Sequence, residues 1–300
     1  MKDLKKYENK ELDFKNLQQQ FIQYIDVEEK TLQTYSGAIK QFIIYMQDNN
    51  IKNPTREDII SFREYIKSKH ELNTVNGYLI AIRQFFKFLE YMGIYKNITE
   101  NIKGVKISKL PKKQVLNVNQ VKQIYNSLTD LREKCLFGLM ITTGCRGVEV
   151  SNAKLEDIKY HNGEIVLWIQ CKGHQDKDEY VKLSNQVLED IKKYVGDRKQ
   201  GYIFTSTSNH NNGGGVTTTT LRRIIKNIFK RFGLDSDTFS LHSLRRSNAV
   251  ISYENGSSIY DIKQVLHHSN INTTTRYLQQ VNRDKNKTEY IVSDVVLGGI

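Results

Sequence analysis

Apolar positions set the first stretch of the chain apart as helical. Phe14 opens a pattern in which Phe21, Tyr24 and Ile25 recur at helical spacing. A second helix is predicted from an N-cap at Thr31, with Tyr35, Ile39, Phe42, Ile43 and Met46 on one face. Thr55 caps a third, with Glu57 and Asp58 in its first turn and Ile59, Ile60, Phe62 and Ile66 facing inward. A fourth starts at Asn73 or Thr74 and buries Tyr78, Ile82, Phe85, Phe86 and Phe88. These make a small helical domain over 1–100, with 1–12 charged and frayed.

Helical periodicity breaks over 101–116, NIKGVKISKLPKKQVL, which holds one of the chain's two prolines and reads as a linker. It resumes at an Asn117 or Asn119 cap and runs through the apolar segment Leu131–Ile141, which Thr142-Thr143-Gly144 stops. A short helix follows Arg146. The period then changes: Ile158–Tyr160, a His161-Asn162-Gly163 turn and Ile165–Cys171 read as a hairpin, with Tyr180–Leu183 as a third strand. Helices return at Asn185–Tyr194, Thr217–Phe232, from His242 to Asn255-Gly256, at Ile259–Leu266 and at Thr273–Val281. The expected fold is mainly α with a small antiparallel β-sheet. A second domain covers 117–287, and 288–300 forms an apolar tail with little of its own to pack on.

Charge changes the picture in one place. The net charge is +12 and the pI about 9.3, which points to a polyanionic partner, nucleic acid before an anionic membrane surface. Residues 101–120 carry five lysines, Lys103, Lys106, Lys109, Lys112 and Lys113, and no acid. They are expected to lie along DNA phosphates, as are Arg222, Arg223 and Lys226 of the basic helix. No apolar run has the length of a membrane span, the first residues lack a signal peptide's apolar core, and three cysteines without metal-like spacing suit a reducing compartment. A cytoplasmic, nucleoid-associated protein is expected. The glycines of 205–216 lack the strand–loop–helix context of a phosphate loop.

One group of residues carries chemistry. Cutting a phosphodiester with a side chain needs a nucleophile, fixed cations for the developing charge, a proton acceptor and a proton donor for the leaving oxygen. Tyr277, Arg146, Arg245, His242, His268 and Lys172 supply these types, and all lie near helix starts or turns. The segments TGCRGVE, CKG, HSLRRS and LHHSNINTTTRY, in that order, resemble the tyrosine recombinase (phage integrase, Xer-like) family across the whole chain. That resemblance implies a helical core-binding (SAM-like) domain before a catalytic domain, the two clamping duplex DNA. It implies Tyr277 as the nucleophile of a 3′-phosphotyrosyl link, Arg146 and Arg245 on the scissile phosphate, and Lys172 as donor to the 5′-oxygen. His242 would assist proton transfer and His268 would bond the phosphate, with Glu149 orienting its own helix. It further implies no metal or nucleotide cofactor, a double-stranded site with inverted repeats, a homotetramer on two sites and a Holliday junction. A partner recombinase or a directionality factor is compatible with it, and the tail is expected to pass to a neighbouring protomer. The short stretch before residue 14 favours a two-domain recombinase over an arm-binding integrase. A type IB topoisomerase and a catalytically silent DNA-binding protein are the competing readings. Two departures stand out: His267 replaces the usual glycine before the last histidine, and Arg246, as a DNA contact or salt-bridge partner, follows Arg245.

Overall fold

The computed structural model describes residues 12–107, 114–171, 173–208, 211–234 and 237–298, with the backbone alone for Gln280, Asp284 and Lys285. The chain divides into two units between residues 109 and 110.

The first unit holds four helices: α1 (Phe14–Tyr24), α2 (Glu29–Asp48), α3 (Arg56–Lys67) and α4 (Leu72–Tyr91). Their inward faces carry the predicted residues except Tyr24, which is exposed. Phe21, Phe42, Phe62, Phe85 and Phe86 are fully buried in one core, and edge-on aromatic contacts such as Phe21–Phe85 at 5.6 Å lock it. The α3 cap forms as the sequence predicts, with Thr55 and Asp58 bonding each other's backbone N–H. The N-caps of α2 and α4 are Glu28 and Glu71, which precede the predicted caps Thr31 and Asn73 or Thr74, and neither makes a side-chain capping bond.

The linker expected over 101–116 is narrower than its composition suggests. Ile102 is buried in the first core. Arg83 donates to Ile102 O at 2.7 Å and Arg63 to Lys103 O at 3.0 Å. Asn76 accepts from Val105 N at 2.8 Å and donates to Val105 O at 3.0 Å. Residues 101–107 thus belong to the helical unit, and two of its arginines hold them there. Residues 114–116 belong to the second unit: Gln114 N donates to Thr238 O, and Leu116, fully buried, donates to Ser247 Oγ at 2.7 Å.

The second unit contains α5 (Val118–Ser127), α6 (Leu131–Thr143), α7 (Gly147–Asn152), the antiparallel sheet β1 (Ile158–His161), β2 (Glu164–Ile169) and β3 (Glu179–Lys182), then α8 (Asn185–Val195), α9 (Thr218–Arg231), α10 (Leu241–Glu254), α11 (Ile259–Val265), α12 (Ile271–Lys285) and α13 (Thr288–Leu297). Strand β2 is central, pairing Ile158 with Leu167 and Ile169 with Glu179. It ends earlier than predicted because the Gln170 side chain donates to the carbonyls of His174 and Gln175 and turns the chain. The core gathers around α6, whose residues Cys135–Ile141 are all buried. A smaller cluster of Ala249, Val250, Ile262, Leu266, Tyr277 and Leu278 lies beneath α10, α11 and α12. The apolar tail is a helix, α13, that buries no residue and exposes Tyr290, Ile291, Val292, Val295, Val296 and Leu297.

Candidate active site

The site begins where α6 stops. Gly144 adopts φ +66°, and a Cβ there would meet Leu266 Cδ2 at 2.4 Å, so the turn requires glycine on both conformational and steric grounds. The turn puts Arg146 at the N-cap of α7. Glu149, three residues on and with a side chain wholly shielded from solvent, accepts from Arg146 N at 2.6 Å and from Arg146 Nη1 at 2.7 Å. One carboxylate therefore caps the helix and aims the guanidinium, as a capping residue and charge partner at once.

Helix α10 contributes the next groups. His242 and Arg245, three residues apart, share a face. Arg245 is 1% exposed. Its Nη1 donates to Gly144 O at 2.7 Å and lies 4.0 Å from Glu149 Oε2, and its Nη2 donates to Leu266 O. Its Nε has no hydrogen-bond partner among the described residues. Burial and the neighbouring Arg146 lower its pKa, while Glu149 opposes the shift.

The turn between α11 and α12 brings the remaining groups. His267 takes φ +47°, and Asn270 caps α12 by accepting from Asn272 N. Two turns of helix then carry Tyr277 inward to 7% exposure. Its hydroxyl lies 2.7 Å from His242 Nε2. Its ring stands edge-on to His268, centroids 5.3 Å apart. The Arg246 guanidinium sits 5.7 Å from the ring centroid; Arg246 is 6% exposed, so it lies against the tyrosine and does not point outward. His268 Nδ1 lies 2.8 Å from Thr274 Oγ1, and both residues are buried.

Electrostatics fix the protonation states. Crowding by protein, then the charges of Arg245, Arg246 and Arg146, push the His242 pKa down to about 4, although the residue itself is exposed to solvent. Burial, then Arg245 and Arg146, push His268 down to about 3. Both imidazoles are neutral at pH 7. A neutral His242 with its proton on Nδ1 accepts from the tyrosine hydroxyl. A Thr274 hydroxyl that donates to Nδ1 leaves the His268 proton on Nε2, where it can be given to an anion.

Five of the six predicted chemical residues thus come together: His268, not its neighbour, meets Tyr277, while the His267 side chain turns to Glu179, Nδ1 to Oε2 3.2 Å. Lys172 lies outside the described residues, as do Lys109, Lys112 and Lys113. The loop between β2 and β3 that bears position 172 is closed by a His174–Asp178 contact at 2.8 Å and by Lys177, which bonds Asn152 O and Asp157. Lys103, Lys106, Arg222 and Arg223 are exposed and Lys226 is half-buried. Cys145 and Cys171, beside Arg146 and position 172, are buried, which pushes their thiol pKa values up to about 12 and about 11. Thr274 was not singled out in the sequence; its position three residues before Tyr277 on the same helical face is the signal that marks it.

A phenol against a neutral imidazole, with two guanidiniums and a second imidazole close by, is the equipment of an enzyme that attacks a phosphate ester with a tyrosine. The comparisons agree. The phage integrase family model matches residues 114–283, and the N-terminal SAM-like domain model of phage integrases matches 19–93. A tyrosine recombinase of Thermosipho africanus is 28% identical over 271 residues, 86% of this chain and 91% of its own length. Tyrosine recombinase XerA of Pyrococcus horikoshii is 27% identical over 277 residues, 90% and 91%. In fold, the chain is similar to XerH site-specific recombinase bound to palindromic difH (TM-score 0.70, 22% identity, 86% of this chain and 80% of that one). It is also similar to a lambda integrase dimer bound to a core site (TM-score 0.72, 17% identity, 91% and 79%). The chain belongs to the phage integrase family, the tyrosine recombinases.

Proposed function

We propose that this chain recombines double-stranded DNA at a specific site, cutting and rejoining strands through a covalent link to Tyr277. The observation that carries the reading is the 2.7 Å approach of the Tyr277 hydroxyl to a neutral His242 Nε2, beside Arg146, Arg245 and His268. The scissile phosphate sits among these three, its oxygens taking N–H bonds from the two arginines and from His268 Nε2. His242 accepts the phenolic proton as Tyr277 Oη bonds to phosphorus. The 5′-oxygen leaves and takes a proton from Lys172. The product is a 3′-phosphotyrosyl ester and a free 5′-hydroxyl, so the bond energy is kept. Attack by the 5′-hydroxyl of a second duplex reverses the steps, releases Tyr277 and joins the strands through a Holliday junction.

Partners follow from the same reading. The protein takes a core site with inverted repeats and works as a homotetramer on two sites; lambda integrase, similar in fold at a TM-score of 0.72, is known as a tetramer on a Holliday junction. Helix α13, apolar and unburied, docks on a neighbouring protomer. Lys103, Lys106, Lys109, Lys112 and Lys113 track phosphates, with Arg222, Arg223 and Lys226 on α9. The role is integration and excision of a mobile element or resolution of DNA dimers, inside the cytoplasm on the nucleoid.

Covalent trapping tests this. Labelled duplexes from the gene's own genomic flanks, nicked near candidate sites, are incubated with the protein in chelator, and the adduct is mapped. We expect a DNA adduct on Tyr277, and Tyr277→Phe that binds DNA without forming one. Intact binding with no adduct on any duplex refutes the reading in favour of a silent DNA-binding protein. Site-independent relaxation of supercoils moves it to a type IB topoisomerase.

A further inference from the structure

His267 is the residue at which the parts of the site meet. It occupies a left-handed backbone conformation at φ +47°, where glycine is the default and a Cβ is costly. A side chain retained there against that cost has a contact to make. The imidazole is 9% exposed, and its Nδ1 lies 3.2 Å from Glu179 Oε2. Glu179 is the first residue of β3 and pairs with Ile169, the last of β2. The loop of 170–178, which bears position 172, is therefore closed at its base by the residue His267 holds. On the other side, His267 is the covalent neighbour of His268. Its carbonyl accepts from Arg146 Nη2 at 3.4 Å, and the carbonyl before it accepts from Arg245.

The charges around the ring define its state. Glu179 from β3 and Glu149 from α7 attract a proton to it, whereas burial and Arg245 from α10 oppose one, and burial is the largest effect. Asp178 also lies within electrostatic reach of the ring. Nε2 is buried without a hydrogen-bond partner among the described residues. A lone pair there is tolerated far better than an unpaired N–H⁺, so the proton resides on Nδ1 and is donated to the Glu179 carboxylate.

We propose that His267 is a positioning residue that ties the loop bearing Lys172 to the turn that delivers His268 and Tyr277. It rests on the recombinase reading, in which Lys172 protonates the leaving oxygen. The clamp fixes the base of the 170–178 loop against that turn without touching DNA.

The test uses the full chain with His267→Gly, which suits the backbone, together with Glu179→Ala and the conservative Glu179→Gln, whose amide oxygen still accepts from Nδ1–H. In DNA-free protein, amide hydrogen exchange across 170–178 is expected to be faster than wild type in His267→Gly and Glu179→Ala, and close to wild type in Glu179→Gln. Thermal stability of His267→Gly is not expected to fall. On nicked duplexes carrying the trapped site, the disruptive variants should cleave roughly tenfold to a hundredfold more slowly. A sulfur at the 5′-bridging position, which leaves without a proton, should restore their rate. Unchanged exchange in His267→Gly overturns the clamp whatever the cleavage does, and an equal loss on the oxygen and sulfur substrates overturns its link to Lys172. Wild-type protein that forms no Tyr277 adduct on either substrate removes the recombinase reading and the positioning role with it; exchange then still decides the contact.

Discussion

Replacing Glu149 by glutamine removes one charge and little volume, and the structure sets what that costs. The carboxylate accepts two hydrogen bonds from Arg146 and stands 4.0 Å from Arg245 Nη1. Glutamine keeps one acceptor oxygen but turns an NH2 group toward two arginines. Breaking a buried ion pair by removing one partner costs about 3–5 kcal/mol. Because the Arg146 side chain is 28% exposed, solvent screens part of the loss, and the lower end, ~3 kcal/mol, is expected. For a unit of this size that lowers Tm by roughly 6–12 °C. A DNA phosphate between the arginines replaces part of the missing charge, so bound DNA should narrow the gap. Thermal unfolding of wild type and Glu149→Gln, with and without site DNA, measures both effects. A Tm shift below about 2 °C, or a gap that DNA leaves unchanged, refutes the view that Glu149 balances the two arginines.

Other outcomes follow from the same geometry. Thr274→Val keeps shape and removes the partner of His268 Nδ1; strand cleavage should fall roughly tenfold or more with DNA binding intact, and Thr274→Ser should restore it, whereas full activity in the valine variant denies Thr274 a part in setting the tautomer. Lys172→Ala should slow cleavage of the oxygen substrate and spare a 5′-thio leaving group, and equal loss on both would remove Lys172 from the acid role. With His242 pushed to about 4 and His268 to about 3, the folded state binds fewer protons than the unfolded one below pH 6.5. Stability should therefore fall as pH drops from 6.5 towards 4, read as a falling urea midpoint, while the ring protons of both histidines stay unshifted by NMR between pH 8 and 5.5 in the free protein.

Much of this was legible because local chemistry and tertiary need coincide. Thr55 reads as a cap and is one, as is Asn117 of the two candidates before α5, each accepting from the backbone N–H three residues on. Tyr277 and the HxxR pair fall where helix ends meet. What sequence withholds is contact between distant segments. Spacing to Tyr277 favours His268 for the site, but nothing in LHHSN tells that its neighbour turns to Glu179, because that depends on one left-handed residue and on where β3 begins. The run Thr273-Thr274-Thr275 offers three hydroxyls; helical spacing from Tyr277 leaves Thr273 and Thr274, and the packing of α12 selects Thr274. The narrowing of the 101–116 linker depends likewise on Arg63, Arg83 and Asn76, residues 19 to 40 positions away.

The two carbonyls held by Arg245, those of Gly144 and Leu266, terminate α6 and α11. Each belongs to the electronegative end of a helix, and the guanidinium joins both before any substrate arrives. An allele lacking this arginine would therefore be scarce in the cell as well as inactive, since a destabilised chain is cleared by proteolysis. A genetic screen scoring recombination alone would record loss of abundance as loss of catalysis at this position. At Tyr277, where the phenol's oxygen can be deleted with the ring left in its cluster, phenylalanine alleles would accumulate normally and report on chemistry alone.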